Sequence, residues 1–351
     1  MIEFSYEALP MRVRFGAEAA QAVGDEIRHL GLSRVLMLST PFQAELARNL
    51  SRQLGGLSAG VFSEAEMHVP VEVAAKARAA AGELGADACV AVGGGSTIGL
   101  GKAIALEYGL PIIAVPTTFA GSEMTPIWGI TEGGEKKTGR DRRVLPTSVV
   151  YDPELTRTLP TGMCVVSGFN AIAHAVEGLY APDRSPIISL MAAEGVRALS
   201  RSLPAIVAEP GAVAPRADAL RGSWLCGAVL GATTMSLHHK LCHVLGGRLN
   251  LPHAETHTVV LPHVLAFNQP VAGDARRSLE EALGVDDPAR ELQRLARELG
   301  APGSLAELGM RETDVAAVVE QVLAQPYANP RPVDAAAASA IVRNAFSGAE
   351  V

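Results

Sequence analysis

The sequence predicts a Rossmann-like α/β N-terminal domain, residues 1–153, followed by an all-α C-terminal domain, residues 154–351. Three observations support this. The length of 351 residues exceeds what one hydrophobic core usually serves. Short apolar runs alternate with helical patterns over the first 150 residues, as in a doubly wound parallel sheet. After about Asp152 the chain becomes rich in Ala and Leu at helical spacing, and a second set of strands is not expected.

Buried parallel strands are predicted where apolar runs are bounded by Gly, Pro, Ser or Thr. These runs are residues 34–38, 88–92, 111–115 and 148–151. Helical patterns accompany them over residues 17–30, 41–54, 71–84 and 97–108, and continue in the second domain over residues 186–203, 217–234 and 289–299. The alanine run at residues 335–338 has apolar neighbours and is interpreted as part of a packed helix.

Composition excludes several classes of function. With 48% hydrophobic and 19% charged residues the chain is expected to be globular, and its net charge of -7 argues against a nucleic-acid partner. The first residues lack the pattern of a secretory signal, and the apolar runs are too short to span a bilayer, so no membrane partner is expected. Four cysteines without CxxC spacing indicate reduced thiols and a cytoplasmic location.

A glycine-rich turn joins the strand at residues 88–92 to the helix that follows it. Gly93, Gly94 and Gly95 would let a phosphate approach the backbone, Ser96 could add a hydroxyl donor, and Lys102 could add a charge. The motif is neither GxGxxG nor Walker A, so a tight turn without a ligand is the alternative.

Hydroxyl residues follow two further predicted strands. Thr117, Thr118 and Ser122 follow the strand at residues 111–115, which favours a dinucleotide crevice. Thr40 stands after the strand at residues 34–38, where an acidic residue would normally grip the ribose and repel a 2′-phosphate. Because Thr40 is neutral, both NADH and NADPH are expected to serve as cofactor.

Histidines are concentrated in the second half of the chain. Of nine, six lie within residues 238–263. His239 and His243 share a helical face at i, i+4, and so do Asn170 and His174. A metal site and a hydrogen-bonded core both remain possible from this pattern, although a functional pocket is favoured for the group. Cys242 could be a nucleophile or a small buried apolar residue.

These motifs together resemble the iron-type alcohol dehydrogenase superfamily, whose architecture is like that of dehydroquinate synthase. The resemblance covers nearly the whole chain. Its motifs are Gly93–Ser96, Pro116–Thr118 with Gly121–Glu123, Gly168–Glu177, His239–Gly247 and Leu251–His253. It implies a pyrophosphate at the GGGS turn and catalysis in the cleft between the domains.

In the metal-dependent members of that family, one Asp and three His hold iron or zinc. The matching positions here are Asn170, His174, His239 and His253, while His243 resembles a further family histidine beside the reacting centre. Asn170 departs from the pattern, because an amide oxygen is neutral where the usual ligand is an anion. We therefore expect that no metal is required.

Asn170 and the histidine segments resemble the maleylacetate reductase branch. That resemblance implies NAD(P)H-dependent reduction of the C=C bond of 2-maleylacetate, giving 3-oxoadipate, in aromatic-compound degradation. A small dicarboxylate substrate and a homodimer are expected. The candidate catalytic residues are His243, His253, His174 and Lys240. The candidate substrate-binding residues are Asn170, His238, His239, His257 and Arg331.

Three alternatives remain at this point. A metal-dependent alcohol dehydrogenase of the same superfamily would need only its three histidines. A nucleotide-binding sensor would bind cofactor without turnover. A lyase related to dehydroquinate synthase would need its metal ligands, and Asn170 is the wrong residue for it.

Overall fold

The structure is a computed structural model that describes residues 4, 6–9, 11–133 and 135–351. The chain divides into two compact units. The sheet unit comprises Leu9–Leu159 and Ala212–Leu220, and the helical unit consists mainly of Pro160–Gly211 and Arg221–Val351.

A six-stranded parallel sheet forms the centre of the sheet unit. Its strands are β1 (Arg12–Phe15), β2 (Val35–Leu38), β3 (Ser58–Phe62), β4 (Ala88–Gly93), β5 (Ile112–Pro116) and β8 (Ser148–Tyr151), in the order β1-β8-β5-β4-β2-β3. The four predicted strands are confirmed as β2, β4, β5 and β8. Each is buried throughout, or nearly so, which explains why they were readable as apolar runs.

The edge strands and one hairpin were not predicted. β1 and β3 lie at the two edges of the sheet and are partly exposed, so their sequences RVRF and SAGVF lack an apolar run. A two-stranded antiparallel hairpin is formed by β6 (Ile127–Glu132) and β7 (Glu135–Arg140). The sequence EKKTGR of β7 is polar, which hid this strand as well.

Four helices of the sheet unit follow the predicted alternation. They are α1 (Val23–His29), α2 (Ala44–Leu54), α3 (Val71–Glu83) and α4 (Gly95–Tyr108). The first two begin later than predicted, because the turns at Ala19–Ala22 and Pro41–Gln43 are 3₁₀ helices. Apolar side chains on both faces of the sheet, such as Val90 and Cys89, pack against these helices.

The helical unit contains α-helices and no strand among its described residues, as the sequence predicts. Its helices are α5 (Thr161–Leu179), α6 (Pro186–Ala208), α7 (Val213–Ala232, which begins in the sheet unit), α8 (Leu237–Leu249), α9 (His253–Asn268), α10 (Gly273–Leu283), α11 (Pro288–Glu298), α12 (Val315–Leu323) and α13 (Ala335–Ser347). The alanine run begins α13. Across the described ranges, no helix is both long and apolar enough to cross a membrane.

Candidate active site

The carboxyl ends of three adjacent strands lie side by side along one end of the sheet. β4 pairs with β2 on one side and with β5 on the other, so the turns that follow these strands are neighbours. The turn after β2 is joined to the turn after β5 by a side-chain contact, in which Gln43 Nε2 donates a 2.5 Å hydrogen bond to Thr117 Oγ1. The Thr117 backbone N–H in turn donates to the carbonyl of Gly93 at 3.2 Å. This edge is where ligands bind in open parallel sheets.

The glycines of the turn have different reasons for being there. Gly93 has φ of +155°, and a Cβ on it would collide with Thr97. A Cβ on Gly94 would lie 2.8 Å from Thr118 Cγ2, so these two glycines are required by their protein neighbours. Gly95 is exposed and would meet nothing within 4 Å. The open space in the turn is therefore beside Gly95.

Helix α4 begins at this open position. Its N-cap is Gly94, and no side chain caps it, so the first N–H groups are available to an anion. Ser96 is half-buried in the first turn. Thr118, Ser122 and Thr40 are half-buried, whereas Thr117 is buried and hydrogen-bonded to Gln43.

The prediction that Lys102 is a phosphate partner is not supported by its position. Lys102 is buried, and its ammonium donates to three acceptors on the segment that follows β5. These are Ser122 O at 2.7 Å, Thr125 Oγ1 at 2.9 Å and Ile127 O at 2.8 Å. An ammonium has three N–H donors, so none is left for a ligand. Lys102 therefore holds the segment after β5 in place through these three hydrogen bonds.

Two further buried titratable groups lie near Lys102. Tyr151 Oη donates to Glu123 Oε1 at 2.7 Å, and both side chains are buried. Burial lowers the pKa of Lys102 to about 7, partly offset by the negative charge of Glu123. Burial likewise raises the pKa of the Glu123 carboxyl. We infer that Lys102, Glu123 and Tyr151 together stabilise the segment that follows β5.

In the helical unit, three helices bring polar side chains together. Helix α5 carries Asn170, His174 and Glu177 at positions i, i+4 and i+7, which share one face. Helix α8 contributes His238, His239 and Cys242, and α9 contributes His253 and His257. Asn250, in the left-handed conformation with φ of +52°, ends α8 and lets the chain turn directly into α9.

The histidine rings form a compact group, which we call the histidine cluster: His174, His238, His239, His253 and His257. The His257 ring is central, with its centroid 4.4 Å from that of His253, 4.8 Å from His238, 5.0 Å from His239 and 6.1 Å from His174. All but half-buried His253 are buried. The spacing in the sequence identified pairs of residues on one helix face, whereas the fold brings five histidine rings together.

A carboxylate that sequence reasoning missed lies at the edge of the cluster. Glu177 is buried, and its Oε2 accepts a 2.7 Å hydrogen bond from His239 Nδ1. His239 Nε2 lies 2.8 Å from His174 Nδ1, and His174 Nε2 lies 3.4 Å from Asn170 Nδ2. Glu177 was findable in principle, because it continues the Asn170 and His174 face of α5 by one turn.

A second contact joins His238 and His257. His238 Nε2 lies 2.9 Å from His257 Nδ1, and the Cys242 thiol lies 3.7 Å from the same His238 nitrogen. Burial, followed by the charges of neighbouring histidines, lowers the pKa of His238 and of His257 well below the usual value. Both rings are therefore neutral near pH 7.

The donor atoms of His238, Cys242 and His257 also lie within 4.8 Å of one another, so by distance these three residues could hold a metal ion. Two nitrogen ligands of one tetrahedral zinc would lie about 3.3 Å apart. The observed 2.9 Å between His238 and His257 is instead a hydrogen-bond distance. Burial raises the pKa of the Cys242 thiol well above its usual value, which disfavours the thiolate that a metal needs.

The family's metal position fits an ion poorly for a related reason. His174 and His239 turn ring nitrogens toward each other at 2.8 Å, and Asn170 turns its amide nitrogen toward His174. Asn170 brings no negative charge to this position, and the nearby carboxylate, Glu177, already accepts N–H groups. These residues fit a hydrogen-bonded group better than a coordination sphere.

Three predicted site residues lie at the margin of this group or away from it. His243 is exposed, with its ring 6.3 Å from that of His239. Lys240 is half-buried on α8. Arg331 lies over the ring of Phe267, 4.4 Å from its centroid, and donates to the Phe267 carbonyl at 3.3 Å. Phe267 is ten residues after His257 on α9, about 15 Å along the axis, so Arg331 is not brought to the cluster.

A parallel sheet with a glycine-rich turn and a buried polar group on helices is the arrangement of a nucleotide-dependent oxidoreductase. The chain belongs to the iron-containing alcohol dehydrogenase family. The family model described as "Iron-containing alcohol dehydrogenase" matches residues 10–153. The one described as "Fe-containing alcohol dehydrogenase family, C-terminal" matches residues 164–346. The resemblance drawn from the motifs is thereby confirmed.

Several named relatives are similar to the chain over its whole length. It is 53% identical to a maleylacetate reductase of Pseudomonas sp. (strain P51) over 99% of both chains. It is 55% identical to one of Sphingobium indicum over 95% of this chain and 94% of the other. The crystal structure of maleylacetate reductase from Rhizobium sp. strain MTP-10005 superposes with a TM-score of 0.97 at 51% identity, covering 100% of both chains.

Proposed function

We propose that the protein is a maleylacetate reductase, which uses NADH or NADPH to reduce the C=C bond of 2-maleylacetate and so forms 3-oxoadipate. The observation that carries the proposal is Asn170 within a hydrogen-bonded histidine cluster at the position where metal-dependent relatives hold their ion. Identities of 50–55% to named maleylacetate reductases over nearly the whole chain support it.

The cofactor is assigned to the strand ends of the sheet unit. The pyrophosphate would bind beside Gly95, where the turn is open and α4 presents uncapped N–H groups. Ser96, Thr118 and Ser122 would add hydroxyl donors. Thr117 and Gln43 would act by holding the turns together, because their side chains bond each other.

The functional groups of maleylacetate determine which chemical steps the substrate site must assist. Maleylacetate has a keto group conjugated to its C=C bond. Hydride adds to the alkene carbon farther from the keto group, and the electron pair of the C=C bond moves to give an enolate. A proton then goes to the carbon next to the keto group, restoring the ketone. The protein must stabilise the enolate oxygen and supply that proton.

Neutral hydrogen-bond donors in a buried site can meet the first demand without an ion. We assign it to the accessible edge of the cluster, where half-buried His253 touches His257. His174, His253 and exposed His243 remain the candidates for supplying the proton. Half-buried Lys240 is the candidate for a substrate carboxylate, and we leave Arg331 out of this set because it is held at Phe267.

Two further properties belong to the same proposal. Turnover needs no bound metal, since the residues at the family position do not suit one. We also propose a cytoplasmic homodimer. The cytoplasmic location is supported by four buried free cysteines. The oligomeric state would be measured by sedimentation equilibrium.

The experiment that tests the proposal is NADH oxidation with freshly generated maleylacetate, set against a panel of alcohols with NAD⁺ and of aldehydes with NADH. We expect rapid turnover of maleylacetate, with 3-oxoadipate as product, and little with the panel. The competing candidate, a metal-dependent alcohol dehydrogenase, predicts the reverse order and activity that rises with added iron or zinc.

A further inference from the structure

We propose that Phe42 and Met67 form an adenine site, in which two exposed apolar side chains bind the adenine ring of the dinucleotide. The inference rests on the proposed function, since it takes the sheet unit to bind NADH or NADPH, and it adds the place of the base. Phe42 lies in the 3₁₀ turn after β2, and Met67 lies in the segment between β3 and α3.

Both side chains are largely open to solvent. Phe42 is 85% exposed, the highest value among the large apolar residues that the structure describes, and Met67 is 63% exposed. A single exposed apolar side chain is ordinary on a protein surface and needs no explanation. Two of them on adjacent loops, at the end of a parallel sheet where ligands bind, indicate an apolar group that covers them.

Hydrogen bonds join the two loops where they leave the sheet. Ser39 directly follows β2, and its hydroxyl donates to the Ser63 hydroxyl at 3.1 Å. The Ser39 carbonyl accepts from the backbone N–H of Ala65 at 3.0 Å. Phe42 is three residues beyond Ser39, and Met67 is two residues beyond Ala65. Because β2 and β3 are paired neighbours, about 4.8 Å apart, the two side chains start from adjacent points of the sheet.

The position of Thr40 indicates which part of the cofactor this site meets. In dinucleotide-binding sheets, the end of the strand beside the glycine-rich strand contacts the ribose of adenosine. β2 pairs with β4, which carries the glycine-rich turn, and Thr40 follows β2. Adenine is bonded directly to that ribose, and Phe42 is two residues beyond Thr40. The apolar surface therefore suits the base and not the phosphates.

The turn that carries Phe42 is fixed by its neighbour Gln43. The Gln43 N–H closes the turn by donating to the Thr40 carbonyl at 3.1 Å. The Gln43 side chain donates to Thr117, and it lies so close to Gly93 that a Cβ there would be 2.7 Å from Gln43 Oε1. Phe42 is therefore presented from an ordered backbone, so a base that stacks on it has little else to order.

The segment that carries Met67 is held by a strained backbone. His68 and Val69 have left-handed φ values of +64° and +50°, which are rare for a β-branched residue such as Val69. Thr131 on β6 donates to both of their carbonyls, from Oγ1 at 2.9 Å and from its backbone N–H at 3.0 Å. Val69 packs against Gly99 of α4, where a Cβ would be 2.8 Å away. Strain that is enforced in this way is concentrated at ligand sites.

The test uses AMP, which carries adenine and its ribose without nicotinamide, so it needs no substrate. Isothermal titration calorimetry measures the Kd of AMP and of NADH for the unmodified protein and for each variant. We expect Phe42→Ala to raise both values by about 5- to 50-fold, as for other aromatic residues that stack on a base. Met67→Ala should raise them by about 2- to 10-fold, because contacts of sulfur with aromatic rings are weaker.

Tyr108→Ala and Met163→Ala are matched controls. Tyr108 is 49% exposed at the last residue of α4, about 20 Å along the helix from Gly95. Met163 is 52% exposed in the first turn of α5. Neither change should alter the Kd of AMP or of NADH, and thermal unfolding checks that all variants are folded. In Phe42→Trp the affinity should be kept, and AMP should quench the added indole fluorescence because the base stacks on it.

Each other result overturns the adenine site. Unchanged dissociation constants in Phe42→Ala and Met67→Ala would do so, and so would an effect in only one of them, because the site is proposed as a pair. Equal losses in the control variants, or an added fluorescence in Phe42→Trp that AMP leaves unchanged, would contradict it as well. If the affinities change as described but maleylacetate is not reduced, the proposed function fails and the adenine site stands.

Discussion

The rings of His253 and His257 lie one turn apart on α9, with centroids separated by 4.4 Å at an angle of 62°. His257 is buried among the other cluster rings, whereas His253 is half-buried. The pair therefore joins the inside of the cluster to its accessible edge.

This relationship predicts which histidines carry turnover. His253→Ala should lower kcat by about 10²–10⁴-fold, the usual range for a lost acid–base or oxyanion group. His243→Ala should have a smaller effect, because His243 is exposed and its ring is 6.3 Å from His239. NADH affinity should barely change in either, and exposed His29→Ala on α1 is the control. Unchanged single-turnover rates in both variants would mean that the active site lies elsewhere.

The cofactor preference can be set at Thr40. Thr40 is neutral and half-buried after β2, so its side chain does not repel a 2′-phosphate. Thr40→Asp should weaken NADPH relative to NADH by at least about tenfold, roughly 1.4 kcal/mol. Thr40→Ser, which stays neutral, should leave the ratio of the two dissociation constants unchanged. A native preference for NADH above about a thousandfold would contradict the assignment.

Replacing Lys102 distinguishes its two possible roles. Lys102→Met would leave the carbonyls of Ser122 and Ile127 without their buried donor, which should destabilise the sheet unit by about 2 kcal/mol. NADH should bind more weakly as a consequence. Lys76→Met is the control, because Lys76 is exposed and forms an ion pair with exposed Glu64. Weaker NADH binding with unchanged thermal stability would instead support a direct phosphate contact.

His263 gives the protein a component of acid sensitivity unrelated to catalysis. Burial, with a contribution from the charge of Arg297, lowers the pKa of His263 to about 4. The unfolded chain protonates it below about pH 6.5, so its effect on stability is absent above that pH and grows as the pH falls toward 4. The total loss is about 3 kcal/mol.

Urea unfolding between pH 7 and pH 4 measures this effect. The free energy of unfolding should fall less steeply with acid in His263→Gln than in the unmodified protein. Exposed His29→Gln serves as the reference. The same slope in all three proteins would show that His263 is already protonated in the folded state.

The sequence predicted the interior of the fold better than its edges. Strands such as β4 and β5 are buried throughout, and burial requires an apolar run that can be read directly. β1 and β7 lie at an edge or in an exposed hairpin, where polar residues such as Arg12 are tolerated. Nothing in their composition separates them from a loop.

For the site, spacing identified residues on one helix face but not their partners on another helix. The i, i+4 pair Asn170 and His174 was visible, yet its contact with His239 depends on how α5 packs on α8. Lys102 was predicted to bind phosphate because a lysine near a glycine-rich turn resembles a phosphate ligand, and only the fold reveals its three protein acceptors. Gln43 was missed because it lies in a 3₁₀ turn without a motif.

The central claim is that a hydrogen-bonded cluster built on Asn170 reduces maleylacetate without a metal ion. The most direct measurement is the single-turnover rate of NADH oxidation with maleylacetate on protein that has been exhaustively chelated and whose metal content has been counted. The account predicts an unchanged rate at well under one metal per chain, and it predicts that Asn170→Asp, which restores the carboxylate, binds zinc more tightly. A rate that falls in proportion to the metal removed and returns with stoichiometric iron or zinc would contradict it.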